Sequence, residues 1–256
     1  MSRIEHMFKQ KNKKLLSVYC TAGFPELNST LSVMKALQKN GADLIELGIP
    51  FSDPLADGPI IQSSGTKALE NGMTLKKLFD QLREFRQIIN IPVLLMGYIN
   101  PVLQYGFEQF CSDAAAAGID GLILPDLPVY EFEKEYEVIT KKYGLDFVFL
   151  VTPETAEERI RKIDTLSTGF LYAVSSSSTT GKEKDLAAQQ RYFYRLEKMQ
   201  LKNPVLVGFG IKDKISFLAA CEHSNGGIIG SAYIQALEKN PDIEASTKQF
   251  LTSILN

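Results

Sequence analysis

Asp43-Leu44-Ile45-Glu46-Leu47-Gly48, followed by Ile49-Pro50-Phe51-Ser52-Asp53-Pro54-Leu55-Ala56-Asp57-Gly58-Pro59, is the stretch on which the fold turns. An apolar run this short, ending in a loop rich in Pro and Gly, reads as a buried strand feeding a rigid connection. Runs of the same kind recur at Leu15–Cys20, Pro92–Gly97, Gly121–Leu124, Asp146–Val151, Gly169–Val174, Pro204–Gly208 and Gly227–Gly230. Eight runs in 256 residues is about 32 residues each, the length of a strand plus its crossover helix.

Helical patterns fill the intervals: Asn28–Asn40, Leu75–Ile89, Phe107–Ala117, Tyr130–Lys142, Thr155–Leu166, Leu186–Met199, Lys212–Cys221 and Ile243–Leu255. Ser2–Gln10 adds a helix ahead of the first strand. Asn40-Gly41, Ala117-Gly118 and Lys142-Tyr143-Gly144 have the form of helix C-terminal caps. Strands that are apolar on both faces belong to a parallel sheet covered by helices. Eight units favour closure into an α/β barrel, a single (β/α)8 TIM barrel, over an open sheet. Cys20-Thr21-Ala22-Gly23-Phe24-Pro25 also lacks the glycine pattern with which open dinucleotide-binding sheets begin. No linker or low-complexity tract divides the chain, which predicts one domain over 1–256.

Composition narrows the functional classes. There are 28 Lys+Arg against 30 Asp+Glu, so no basic excess points to nucleic acid or an acidic membrane surface. Cys20, Cys111 and Cys221 are far apart and the only histidines are His6 and His223, which argues against a disulfide framework, a zinc site or a multi-histidine metal site. Lys11–Phe24 faintly resembles a signal peptide, and Gln87–Phe107 lacks charge over a membrane-spanning length. The first has no clear cleavage site and reads as a buried strand; the second is broken by Pro92, Gly97, Pro101 and Gly106 and reads as a buried strand plus its following loop, both in a cytoplasmic protein.

In a barrel, chemistry belongs to the loops at the strands' C-terminal ends. Glu46 sits inside an apolar strand near that end, where poor solvation raises a carboxyl pKa toward neutrality and fits it for proton transfer. A buried glutamate paired with Lys or hydrogen-bonded in the core is the alternative. Asp53 reads as a turn residue before Pro54, and Asp57 is ambiguous. Gly208-Phe209-Gly210 after the seventh strand, and Gly230-Ser231 opening a short helical segment Ala232–Lys239 after the eighth, stand where barrels bind phosphate.

Glu46–Pro59 resembles the signature of the tryptophan synthase alpha-subunit family. Six supports follow in the family's order: Thr21-Ala22-Gly23-Phe24-Pro25, Met96-Gly97-Tyr98-Ile99-Asn100-Pro101, Asp120-Gly121 through Leu124-Pro125-Asp126-Leu127-Pro128, Thr180-Gly181, Gly208-Phe209-Gly210-Ile211 and Gly230-Ser231-Ala232. The resemblance implies a carbon–carbon lyase that cleaves indole-3-glycerol phosphate to indole and D-glyceraldehyde 3-phosphate with no cofactor in this subunit. It also implies an α2β2 heterotetramer, in which indole passes to a beta subunit carrying pyridoxal phosphate (PLP). By position, Glu46 is the acid–base that protonates indole C3, Asp57 serves the indole nitrogen, and Tyr172 lies beside the substrate. Thr180, Gly181, Gly210, Gly230 and Ser231 hold phosphate, Tyr19, Tyr98 and Ile123 line the indole pocket, and Asp53 and Asp126 face the partner.

The resemblance lapses at Val174-Ser175-Ser176-Ser177-Ser178-Thr179-Thr180-Gly181, where Ser176 and Ser178 replace the family's usual Arg and Gly. Ser175–Gln190 is polar enough to predict a mobile lid, with Ser178 at negative φ. The altered lid leaves a non-catalytic activator of the beta subunit as a second reading. A different phosphate-binding barrel enzyme of the pathway is a third, which the loop signature opposes.

Overall fold

The computed structural model describes residues 1–174, 186–208 and 210–256. Nine parallel strands form one sheet among these residues: β1 (Leu15–Thr21), β2 (Leu44–Gly48), β3 (Val93–Met96), β4 (Gly121–Ile123), β5 (Asp146–Phe147), β6 (Leu150–Val151), β7 (Leu171–Val174), β8 (Val205–Gly208) and β9 (Gly226–Ile229). The order is β5-β4-β3-β2-β1-β9-β8-β7-β6. Its two ends, β5 and β6, are consecutive in the chain and together make up the predicted fifth strand. The Val148 N–H still donates to the Leu122 carbonyl, and the Tyr172 N–H to the Phe149 carbonyl, both at 3.0 Å. Pairing therefore passes from one neighbour to the other across residues 148–149, and the barrel closes there. One run is counted as two strands because the barrel's seam falls within it.

Period-two alternation sorts the strand residues into two cores. Leu15, Leu44, Leu94, Ile123, Val148, Phe170, Tyr172, Leu206 and Ile228 fill the barrel interior. Val18, Ile45, Leu95, Leu122, Phe147, Ala173, Val207 and Ile229 pack outward under the helices. Arg3–Gln10 closes the N-terminal end of the barrel by inserting Ile4 and Met7 into the inner core. Its start is set by a capping box: the Glu5 N–H donates to Ser2 Oγ at 3.2 Å, and the Ser2 N–H donates to Glu5 Oε2 at 3.1 Å.

Carboxylates pin strand starts at that end. Asp43 accepts from the Leu16 N–H at 2.8 Å, and Asp120 accepts from the Val93 N–H at 2.8 Å. Asp120 also accepts from Arg3 at 2.9 Å and from the largely buried Arg86. Arg86 donates further to the carbonyls of Gly118, Ile89 and Ile91. These bonds draw the chain inward, so the helix predicted over Leu75–Ile89 ends at Leu82 and continues as a single tight turn, Phe85–Gln87. Asp120→Ala would leave the largely buried Arg86 guanidinium without its counter-charge and the Val93 N–H without its side-chain acceptor. The expected loss, read by urea denaturation, is about 3–5 kcal/mol.

Two helices were absent from the predicted pattern. Pro59–Glu70 buries only Ser64, Gly65 and Ala68, so it lacks the broad apolar stripe that marks a helix in sequence. Ile99–Tyr105 follows β3 within the stretch read as a strand and its loop. No helix of the described residues is long and apolar enough to cross a membrane. Cys20, Cys111 and Cys221 are free and buried.

Candidate active site

Glu46 is the central residue of β2, and alternation turns it into the barrel with Leu44 and Gly48. Its side chain has no solvent exposure. Oε1 accepts a hydrogen bond from Ser17 Oγ at 2.7 Å. Oε2 is buried without a hydrogen-bond partner among the described residues. Burial pushes the carboxyl up to about 8, and the Ser17 bond opposes the rise. A group with that value holds or releases a proton near neutral pH.

Asp57 comes from the loop between β2 and the helix Pro59–Glu70. That loop is held by its own backbone: the Leu55 N–H donates to the Asp53 carbonyl at 3.0 Å, and the Asp57 N–H to the Pro54 carbonyl at 3.1 Å. From outside, the Ala56 N–H donates to the Tyr98 hydroxyl at 3.0 Å, and Gln62 Nε2 donates to the Asp57 carbonyl at 2.8 Å. The Asp57 carboxyl is half-buried. Desolvation pushes it up to about 6, and a hydrogen bond from Tyr98 works against that. Phe51 packs on Tyr98 with ring centroids 5.5 Å apart.

Two more tyrosines face inward. Tyr19, in register with Glu46 across β1 and β2, reaches over Gly48, where a Cβ would lie 2.1 Å from the Tyr19 hydroxyl. Tyr172 on β7 lies over Gly208, where a Cβ would come within 2.2 Å of its ring. Glycine at both positions lets the rings lie across the barrel. Burial raises both hydroxyls well above the usual tyrosine value, reinforced by Glu46 and Asp57 at Tyr172 and by Asp57 at Tyr19. The two carboxyls and the two rings thus share one electrostatic environment at the C-terminal half of the barrel.

Gly210 is exposed, with φ +80. Gly230 caps the helix Ser231–Lys239, one residue longer than the predicted segment, and Ser231 is exposed at its first turn. The first N–H groups of such a helix have no intrahelical acceptor and favour an anion. A Cβ on Gly230 would touch Tyr19 Cβ at 3.5 Å, so this helix end borders the tyrosine. Ile123 is fully buried in the inner core. Thr180, Gly181 and Phe209 lie outside the described residues, as does the φ expected of Ser178. Of the predicted lid, Leu186–Gln190 belongs to the helix Leu186–Lys198 and the remainder lies outside.

Asp53 and Asp126 are both exposed, and Asp126 accepts from the Ile99 N–H at 2.9 Å. A groove of about 590 Å³ opens beside them, lined among others by Pro50, Phe51, Ser52, Asn100, Pro101 and Gln104. Glu46 and Tyr172 are not part of its lining. Among the described residues no three His, Cys, Asp or Glu side chains form a metal-binding group. Ser17 is the site residue that the sequence reading missed. The sequence signals only a polar residue in the inward row of β1, shared by Leu15, Ser17, Tyr19 and Thr21; that Ser17 lies diagonally across from Glu46 comes from the register of β1 on β2.

A closed βα barrel with one carboxyl sealed inside it, and a second on the loop that follows, has the layout of the barrel enzymes, whose functional side chains sit at the C-terminal ends of the strands. The comparisons narrow this class. The family model described as "Tryptophan synthase alpha chain" matches residues 6–254. A tryptophan synthase alpha chain from Flavobacterium johnsoniae is 54% identical over 241 residues, 94% of this chain and 95% of that one. One from Bacteroides thetaiotaomicron is 50% identical over 245 residues, 95% of this chain and 96% of that one. The solved tryptophan synthase subunit alpha of Legionella pneumophila superposes with a TM-score of 0.90 at 38% identity, covering 99% of this chain and 97% of that one. A chain of the Pyrococcus furiosus tryptophan synthase complex gives 0.86 at 36% identity, covering 96% and 99%. The chain belongs to the tryptophan synthase alpha chain family.

Proposed function

We propose that this chain cleaves indole-3-glycerol phosphate to indole and D-glyceraldehyde 3-phosphate, with Glu46 as the acid–base of the retro-aldol step and the whole chain, 1–256, acting as one barrel domain. The observation that carries the reading is Glu46 itself: sealed in the barrel, with one oxygen held by Ser17 and the other without a partner among the described residues.

An aryl carbanion is a poor leaving group, so C3 must first take a proton. Protonated Glu46 supplies it, leaving a carboxylate and a cationic indoleninium. Asp57 stabilises that cation at the ring nitrogen. The carbon–carbon bond then breaks as the adjacent glycerol hydroxyl loses its proton to the Glu46 carboxylate. The bonding electrons return to the ring, the hydroxyl carbon becomes the aldehyde, and Glu46 ends protonated as it began. Tyr172 lies against the substrate, and Tyr19, Tyr98 and Ile123 bound the indole pocket. Gly210, Gly230 and Ser231 receive the phosphate, with Thr180 and Gly181. None of these steps needs a cofactor in this subunit.

In this reading the partner is a tryptophan synthase beta subunit in an α2β2 assembly in the cytoplasm. It receives the indole and carries the pyridoxal phosphate. The solved Pyrococcus furiosus relative is a tryptophan synthase complex. The face carrying Asp53, Asp126 and the adjoining groove is the one that would meet the partner. Assay of the purified chain for indole release, with and without a beta subunit, tests the whole proposal. Release is expected in both cases and faster in the complex. A chain that releases no indole yet stimulates a beta subunit would be an activator only.

The phosphate end is tested by Ser231→Asp. An acid at the first turn of a helix suits the helix dipole, so thermal stability should hold or rise. The same charge would repel phosphate, and KM should rise about 10- to 100-fold. An unchanged KM would remove Ser231 from the phosphate site.

A further inference from the structure

Ser17 is a fully buried polar residue on the inner face of β1, and its hydroxyl hydrogen points at Glu46. In the register of β1 and β2, Ser17 stands opposite Leu44 and Tyr19 opposite Glu46. Ser17 is therefore the diagonal neighbour of Glu46, one inward step closer to the barrel's closed end. On its other side Glu46 stands opposite Leu94 of β3, and both leucines belong to the apolar inner core. A carboxyl with such neighbours has little to fix its rotation except the Ser17 bond. That bond engages Oε1, while Oε2 has no partner among the described residues.

We propose that Ser17 is a positioning residue for the acid–base carboxyl: by holding Oε1 it makes Oε2 the oxygen that exchanges the proton with substrate. The proposal rests on the reading of Glu46 as the acid–base. In both protonation states the serine hydroxyl donates to Oε1. The bond is stronger when the carboxyl is ionised, because a charged acceptor strengthens it. Ser17 therefore does two things. It orients the carboxyl, and it keeps the ionised form accessible in a cavity that otherwise favours the neutral acid, as its opposition to the burial shift indicates.

The other titratable groups around Glu46 are Cys20 on β1 and Tyr172 on β7, with Tyr19 and Asp57 further along the interior. Burial pushes Cys20 up to about 12 and holds both tyrosines above their ordinary value. Only Asp57, at about 6, changes charge in the same range as Glu46.

Ser17→Thr and Ser17→Val test the proposal as a pair. The two side chains have nearly the same shape, so a packing cost falls on both, and only Thr keeps a hydroxyl. The measurements are kcat and KM for indole release across pH, and the pH titration of the buried carboxylic C=O stretch in infrared difference spectra, assigned with Glu46→Gln. Ser17→Thr should keep the wild-type midpoint and most of kcat. Ser17→Val should move the Glu46 midpoint to higher pH and lower kcat about 10- to 100-fold, the size of one hydrogen bond to a charged group, with KM little changed.

If Thr and Val titrate and turn over alike while Glu46→Gln is inactive, Ser17 has no positioning role and the proposal fails alone. An active Glu46→Gln would overturn the acid–base reading and this proposal with it. If Ser17→Val lowers stability without moving either the midpoint or kcat relative to Ser17→Thr, Ser17 is a packing residue only.

Discussion

Glu46→Gln should lower indole release by about 10²–10⁴-fold or more, the range for removal of a general acid–base. The amide keeps the shape of the carboxyl and can still accept from Ser17, so the cavity persists while proton exchange is lost. KM should change little, since the phosphate end of the substrate is held elsewhere. Stability should move the other way. The carboxyl has an ordinary value of 4.5 and is raised to about 8 in the fold. Between those values the native state binds more protons than the unfolded state, so stability falls as pH rises through that window. Gln does not titrate and escapes this cost. Relative to the parent, the variant should gain stability as pH rises from 4.5 toward 8, by at most roughly 1.4 kcal/mol per pH unit, and that gain should vanish as pH falls toward 4.5. Thermal or urea denaturation at several pH values reads this directly. A variant that turns over within a factor of a few of the parent would leave Glu46 as a buried, hydrogen-bonded glutamate and nothing more.

Asp57→Asn should be the second large loss, about 10²–10³-fold in kcat, in line with removing one preorganised electrostatic contact to a developing charge. Loop geometry should survive, because the loop is held by backbone bonds, by Gln62 on the Asp57 carbonyl and by Tyr98 on the Ala56 N–H, and an Asn side-chain oxygen can still accept from the Tyr98 hydroxyl. Activation of the beta subunit should therefore be largely retained. In wild type the pH profile should show a limb near 6, where Asp57 ionises, and the substitution should erase it. The native carboxyl is raised from its ordinary 3.8, so its ionisation costs stability as pH rises from 3.8 to about 6. The Asn variant should lose that dependence and be no less stable above pH 6. A kcat within a factor of a few of wild type, with the limb near 6 intact, would exclude Asp57 from the chemistry.

The two losses should differ in their origin. Glu46 is sealed by β1, β2 and β3, and its behaviour is set mostly by desolvation. Asp57 is half-buried on a loop and is tuned also by Tyr98. If the loop re-seats when a partner binds, the Asp57 limb should shift while the Glu46 midpoint stays. Measuring the profile with and without the beta subunit therefore separates the contribution of the loop from that of the barrel.

Much of this architecture was legible in the amino-acid order. The eight apolar runs, the glycine-marked helix ends at Gly41, Gly118 and Gly144, and the N-terminal helix over Ser2–Gln10 are local patterns. Each depends on residues within a few positions of one another, where propensity and periodicity act directly. Glu46 was legible for the same reason, since a carboxylate inside an apolar strand contradicts its surroundings. Other features depend on contacts that no local window contains. The helix Pro59–Glu70 buries small residues against neighbouring elements, so its stability comes from packing and not from an apolar stripe. The seam that divides Asp146–Val151 into β5 and β6 follows from closure of the sheet, a property of all the strands together. Ser17 becomes the partner of Glu46 only through the register of β1 on β2, which sets two residues 29 positions apart at 2.7 Å. The values near 8 for Glu46 and near 6 for Asp57 likewise follow from how completely distant strands and loops exclude water. Sequence alone determined which side chains could carry protons. Tertiary structure decided which of them are raised toward neutral pH, because desolvation is a property of the enclosure and not of the residue.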